Sequence, residues 1–268
     1  MPKIMLPKQL YQDGKREIMV NIRDNLESVK LKGNTALITG ASRGIGRAIA
    51  LNLAAAGVKT ALVGRDKASL SAVKKEIENI GGIAKIYSFD LVFISKIGSL
   101  VRKVVKDFGS IDILINNAGV AVSKPFEETT EDEWDRIFTV NTKAPFFLCK
   151  ETLPYLIKSR NANIINITSV VAKKGYVNQS VYGASKHALY GFSKALSKEI
   201  HDRGIKVHTI APGGVASEMV SRMRPDINPD DLIQPEEVAE VVTFLLSLSG
   251  NAVIDEIDIR RAGKMPWA

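Results

Sequence analysis

The stretch Thr39-Gly40-Ala41-Ser42-Arg43-Gly44-Ile45-Gly46 joins two segments of different periodicity. Ahead of it, Thr35-Ala-Leu-Ile is a short apolar run that reads as a buried strand. Behind it, Arg47 to about Ala56 has helical spacing and is closed by Gly57. Glycines at 40, 44 and 46 permit a sharp turn, close approach of the backbone to a pyrophosphate, and tight packing of helix on strand. The helix N-terminus adds unpaired N–H groups that favour an anion. The spacing is G-x-x-x-G-x-G and not G-x-G-x-x-G, so this turn outlines a dinucleotide site but also fits a glycine turn of no special purpose.

The same alternation recurs along the chain. Apolar runs appear at Thr60-Ala-Leu-Val, Ala84-Lys-Ile-Tyr, Ile111-Asp-Ile-Leu-Ile, Asn163-Ile-Ile-Asn-Ile, Ile205-Lys-Val-His-Thr-Ile and Ala252-Val-Ile-Asp-Glu-Ile-Asp-Ile, with helically spaced segments between them. One such segment carries Leu70, Val73 and Ile77 behind Asp66, an N-cap type, and stops at Gly81-Gly82. Strands alternating with helices predict an α/β fold, a parallel sheet covered on both faces. No linker or internal repeat interrupts residues 31–268, which read as one domain, and residues 1–30 read as a polar N-terminal extension.

The 268 residues are 45% hydrophobic and 25% charged, which excludes disordered and fibrous classes. The formal charge of +8 is spread out: residues 1–30 hold six Lys/Arg against four Asp/Glu, leaving 31 against 25 elsewhere. With no basic stripe interleaved with aromatics, the charge predicts no nucleic acid and no membrane surface, but an anionic small molecule. No apolar run approaches a membrane span and the start has no signal-peptide pattern, so a cytoplasmic protein is expected. The lone cysteine, Cys149, reads as a core residue, and His187, His201 and His208 lack ligand spacing, so no metal is expected.

More motifs follow the glycine turn in order: Asn116-Asn117-Ala118-Gly119, Asn141, Ser169, Tyr182-Gly-Ala-Ser-Lys186 and Pro212-Gly213. Together they resemble the ordered motifs of the classical short-chain dehydrogenase/reductase family over about residues 31–260. The resemblance implies a single-domain Rossmann fold, a doubly wound seven-stranded parallel sheet with helices on both faces. It also implies homotetramers or dimers built on the helices after strands four and five, and a nicotinamide cofactor held at Gly40, Ser42, Arg43, Gly44, Ile45 and Gly46.

An acidic residue after the second strand selects NAD, and a cation there accepts the extra phosphate of NADP. Here Arg65 follows the strand directly, and capping accounts for Asp66. Arg65, with Arg43 from the glycine turn, favours NADP(H), since two guanidiniums make a charge-assisted phosphate site. The resemblance further implies cofactor contacts at Asp90, Leu91, Asn117, Ala118 and Gly119, and contacts of Pro212, Gly213, Val215 and Ser217 near the nicotinamide.

Tyr182 and Lys186, four apart on one helix face, suit general acid/base chemistry. At about 5 Å and an effective dielectric near 20, an ammonium favours phenolate by roughly 3 kcal/mol, so a lowered Tyr182 pKa is expected. Ser169 would hydrogen-bond the substrate oxygen, Lys186 would also hold ribose hydroxyls, and Asn141 resembles the family's fourth catalytic member. Substrate preference is assigned to segment 214–234, with Met219, Met223, Pro225, Asp226 and Pro229, and to Val170, Val171, Tyr176 and Val177; Lys173 and Lys174 could favour an acidic substrate. The chain resembles 3-oxoacyl-carrier-protein reductases and related ketone reductases, with Arg160 and Arg203 available to an acidic carrier. Its ending, Asp258-Ile-Arg-Arg-Ala-Gly-Lys, lacks the usual Asp-Gly-Gly, which leaves a broader ketone reductase equally open. An NAD(H)-dependent alcohol dehydrogenase and a non-catalytic NADP(H) sensor are the alternatives, and a sensor would not need Ser169, Tyr182 and Lys186 together.

Overall fold

The computed structural model describes residues 31–223, 227–248 and 250–265. The expected extension at residues 1–30, with Pro225 and Asp226 of the substrate segment, lies outside the described residues. Strand β1 (Thr35–Thr39) is buried at every position and pairs in parallel with β2 (Lys59–Gly64) on one side and β4 (Ile113–Asn116) on the other. With β3 (Ala84–Ser88), β5 (Asn163–Ile167), β6 (Lys206–Pro212) and β7 (Glu256–Ile259), they form one parallel sheet in the order β3-β2-β1-β4-β5-β6-β7.

Alternate strand residues feed two cores, as the two-residue side-chain period requires. Ala36 and Ile38 pack with Ile49 and Leu53 of α1 (Gly44–Ala55), Leu70 of α2 (Lys67–Asn79) and Val242 and Leu245 of α8 (Pro235–Ser247). Leu37 and Leu114 face the other way, toward Val101 and Val104 of α3 (Ile97–Phe108) and Leu148 of α5 (Ala144–Leu156). That second face also carries α6 (Ser180–Ile200), while α4 (Glu131–Phe138) and the short α7 (Glu218–Met223) complete the helices among the described residues. No described helix is long and apolar enough to cross a membrane.

The helix ends follow their local chemistry. Asp66 caps α2 by accepting from the Ser69 N–H at 2.6 Å, as the sequence predicts. Thr130 and Glu133 form a capping box at α4, and Gln234 and Glu237 form another at α8 with Pro235 in its first turn. Four expectations need correction. Helix α1 begins at Gly44, inside the glycine turn, and not at Arg47. Strand β4 begins at Ile113 and not Ile111, and just ahead of it the Asp112 carboxylate accepts from the Thr35 N–H and the Ser159 hydroxyl. Strand β7 is confined to Glu256–Ile259, the residues that pair with Thr209–Pro212 of β6. The substrate segment 214–234, a loop by its sequence, contains α7 and a parallel bridge of Val215 to Ile233.

Candidate active site

Where the strand order reverses between β1 and β4, the connections diverge and leave a cleft at the carboxyl ends of the strands. Its volume is about 780 Å³, within the ordinary range for small-molecule sites. Every sequence-predicted cofactor or catalytic residue lines it except Gly46 and Asn141, which stand one layer behind.

The glycine turn is built for close approach. Gly40 and Gly44 have φ of +66° and +54°, a region L side chains rarely adopt. A Cβ on Gly46 would lie 2.2 Å from the Gly40 carbonyl oxygen, so helix and turn meet only because no side chain intervenes. Thr39 locks the turn to β4: its hydroxyl donates to the Ile115 carbonyl at 3.2 Å and accepts from the N–H groups of Asn117 and Ala118 at 3.0 and 3.1 Å. The Asn117 side-chain amide donates back to the Thr39 carbonyl at 2.9 Å. The cleft floor is thus rigid, with the N-terminus of α1 facing the cleft, which suits a pyrophosphate.

The cations divide by what already engages them. The Arg43 guanidinium is ion-paired with Glu218, which also pairs with Arg222 of its own helix, and Arg47 pairs with Glu76. Arg43, expected to join Arg65 at a phosphate, lines the cleft and meets there a carboxylate that α7 brings to it. Arg65 lines the cleft with no side-chain partner among the described residues. Asp90 accepts from the Val92 N–H at 3.2 Å, which fixes its carboxylate at the cleft edge.

At the other end, α6 presents Tyr182 and Lys186, both buried, on one face. Lys186 Nζ donates to the Ile167 carbonyl at 2.9 Å and stands 6.0 Å from the centre of the Tyr182 ring. Burial pushes the Tyr182 phenol up to about 12, against a smaller lowering by its hydrogen bond with Ser169, and burial pulls Lys186 down to about 8. The expected lowering of Tyr182 is overturned, because the ammonium is aimed at a carbonyl and desolvation outweighs it. Ser169 caps the turn Val170–Ala172 by accepting from the Val171 N–H.

Asn141 occupies a π-helical turn (Thr139–Lys143) between α4 and α5. Its side chain accepts from the Val120 N–H and donates to the Val120 carbonyl, both at 2.8 Å, and donates to the Ser185 hydroxyl at 3.0 Å. Ser185 in turn donates to the Tyr182 carbonyl at 2.7 Å. Asn141 is therefore a positioning residue that ties the loop after β4 to α6.

Met219 and Met223 line the cleft as expected, but Val170, Val171, Tyr176 and Val177 do not. Val171 is packed beneath, and Tyr176 and Val177 point to solvent. Lys173 is paired with Glu256 and Asp258 at the β7 edge, which removes it as a receptor for an acidic substrate. Sequence reasoning missed Thr39, Ser185, Arg136 and Glu218. Ser185 lay inside the Tyr182–Lys186 motif, one turn of helix from Tyr182, and Arg136 lay one helical turn before Val140. Among the described residues no group of three or more His, Cys, Asp or Glu side chains is disposed to hold a metal.

The profile of the short chain dehydrogenase family matches residues 34–228. The chain is 34% identical over 237 residues to a 3-oxoacyl-[acyl-carrier-protein] reductase of Thermotoga maritima, covering 85% of this chain and 96% of that one. It is 35% identical over 227 residues to the reductase of that name from Escherichia coli, covering 82% and 92%. Among solved structures it resembles a metagenomic short-chain oxidoreductase in complex with NADP, with a TM-score of 0.77 at 33% identity over 87% of this chain and 99% of that one. An alcohol dehydrogenase from Thermococcus sibiricus complexed with 5-hydroxy-NADP superposes with a TM-score of 0.81 at 27% identity, over 87% and 98%. Motif order, sheet topology and these relationships agree: this chain belongs to the short-chain dehydrogenase family.

Proposed function

We propose that this protein is an NADP(H)-dependent oxidoreductase that reduces a ketone to a secondary alcohol, a 3-oxoacyl thioester being one candidate. The observation that carries the reading is the grouping of Ser169, Tyr182 and Lys186 at the end of a cleft whose other end is a glycine turn with an unpartnered Arg65 beyond it. The residues fit the cofactor. The cradle of Gly40, Gly44 and Gly46 has room for backbone approach, the N-terminus of α1 suits the pyrophosphate, and Arg65 suits the additional phosphate. Asp66 is engaged as a helix cap and Arg65 is not, which favours NADP(H) over NAD(H).

NADPH, when bound, supplies the hydride. Tyr182, protonated at neutral pH, donates its phenolic proton to the ketone oxygen. The Ser169 hydroxyl hydrogen-bonds the same oxygen as negative charge builds there. Lys186, held by the Ile167 carbonyl, stabilises the phenolate left behind and would hold ribose hydroxyls. Asn141 keeps the loop at Val120 in register with α6.

The names of the curated relatives and the exposed positions of Arg160 and Arg203 support an acidic carrier protein as substrate donor. The exposed Trp134 and Phe146 on α4 and α5, with Phe146 against Phe192 of α6, support a homo-oligomer through this face. A cytoplasmic location is part of the same proposal. The test is NADPH consumption with an acetoacetyl thioester, a small diketone and a sugar ketone, with Tyr182→Phe as the control. Tyr182→Phe should lose nearly all turnover while still binding NADPH; retained turnover refutes the mechanism.

A further inference from the structure

The proposed function leaves one cation in the cleft without a task. Six basic side chains line it. Arg43, Arg47 and Arg222 are ion-paired with carboxylates, and Lys186 is hydrogen-bonded to a carbonyl. Arg65 and Arg136 are engaged by no ion pair or side-chain hydrogen bond among the described residues. The fold sets these two apart. Arg65 follows β2, whereas Arg136 belongs to α4, which packs against α6 and leads into the π turn bonded to the loop after β4. In the sheet, β2 is separated from β5, which carries Ser169, by β1 and β4, so about 14 Å of sheet lies between them.

Arg136 stands at the catalytic end. Val140, four residues on, shares its helix face and also lines the cleft. Next to Val140, Asn141 grips Val120, and Val120 and Ala121 line the same wall. A Cβ on Gly119, the residue before Val120, would stand 3.6 Å from Lys186 Nζ, so this wall continues directly into the catalytic group. The same cleft is lined by Met219, Val220 and Met223 of α7. A wall of valine, alanine and methionine with one unengaged guanidinium matches a substrate with an apolar body and an anionic end.

We propose that Arg136 receives an anionic group of the substrate, a carboxylate or a phosphate, so that the ketones this enzyme prefers are acidic ones. A guanidinium offers either group a forked, charge-assisted pair of hydrogen bonds. Arg136 is exposed, so the pair is partly screened, and its contribution falls as salt is added. The inference rests on the ketone-reductase reading and deepens it.

The experiment measures kcat/KM with NADPH for two matched pairs: a medium-chain 3-oxo acid against its methyl ester, and a 3-oxoacyl thioester of phosphopantetheine against that of pantetheine. The wild type should favour the anionic member of at least one pair by about tenfold at low salt, and the preference should shrink with added NaCl. The pair that shows it tells carboxylate from phosphate. Arg136→Gln should reduce that selectivity ratio to near one, and Arg136→Lys should restore part of it. A general loss of folding would depress both members and leave the ratio unchanged. A wild-type ratio of about one in both pairs, or a ratio that Arg136→Gln leaves intact, overturns the assignment of Arg136 alone. No NADPH consumption with any ketone overturns the reductase reading beneath it.

Discussion

Replacing Lys186 with methionine should abolish turnover and yet ease a cost that folding carries. The ammonium is almost wholly buried, its one hydrogen bond among the described residues is to the Ile167 carbonyl, and burial lowers its pKa from 10.5 to about 8. That difference corresponds to roughly 3 kcal/mol of destabilisation at pH 7, where Lys186 is charged in both folded and unfolded chains. The unfolded chain holds the proton more tightly, so the cost is full below pH 8 and is relieved as pH rises from 8 toward 10.5. At pH 9 it is about 2 kcal/mol. Methionine removes the charge but leaves the Ile167 carbonyl without this donor, a loss of about 1–3 kcal/mol. The net effect at pH 7 therefore lies between neutral and stabilising. The difference between the two proteins isolates the titration from packing: the variant's Tm relative to wild type should fall by about 2–4 °C between pH 7 and pH 9. Differential scanning calorimetry of both proteins at the two pH values measures it. A difference that is the same at pH 7 and 9, or that grows, refutes the buried-charge account of Lys186.

Gly46→Ala places a methyl where only 2.2 Å separates it from the Gly40 carbonyl, so the turn must open; NADPH affinity by fluorescence titration should fall by at least about tenfold. Asn141→Ala removes three side-chain hydrogen bonds of a buried residue and should cost about 2–4 kcal/mol, read as a lowered denaturation midpoint. With Tyr182 held up at about 12, alcohol oxidation should rise steadily from pH 6 to 8 while ketone reduction stays nearly level; parallel initial-rate profiles check it, and a level oxidation profile contradicts it.

Much of the site was legible because its chemistry is local in sequence. The turn from Thr39 to Gly46, the Asp66 cap and the Tyr182–Lys186 spacing each depend on neighbours within a few residues, and each stands in the cleft or beside it as read. Several of the misreadings share one physical cause, a partner distant in the chain. The Asp112 carboxylate ahead of β4 finds Thr35 and Ser159, and Lys173 is taken by Glu256 and Asp258 from β7. Arg43 is engaged by Glu218, 175 residues away. No spacing rule exposes such pairs. Arg136 was missed for a related reason: an arginine on a short acidic helix looks like a solvated charge until the fold turns that helix face toward the cleft.

The pKa of Tyr182 shows how an energetic argument can have the right parts and the wrong sign. The sequence-based estimate gave Lys186 full charge and aimed it at the phenol through a dielectric near 20. The fold keeps the charge at pH 7 but not the aim. It buries both groups, directs the ammonium to the Ile167 carbonyl, and brings Lys186 itself within about one pH unit of neutrality at pH 7. Desolvation then acts on each group against its charged form, so the phenol rises as the amine falls. The consequence is directional. A phenol at about 12 carries its proton at every physiological pH and is ready to donate to a ketone oxygen. Removing that proton at pH 7, as alcohol oxidation requires, costs about 7 kcal/mol before any other contribution. At neutral pH the phenol therefore holds the proton that ketone reduction draws on, and the buried Lys186 ammonium stands beside the phenolate left when that proton is given up.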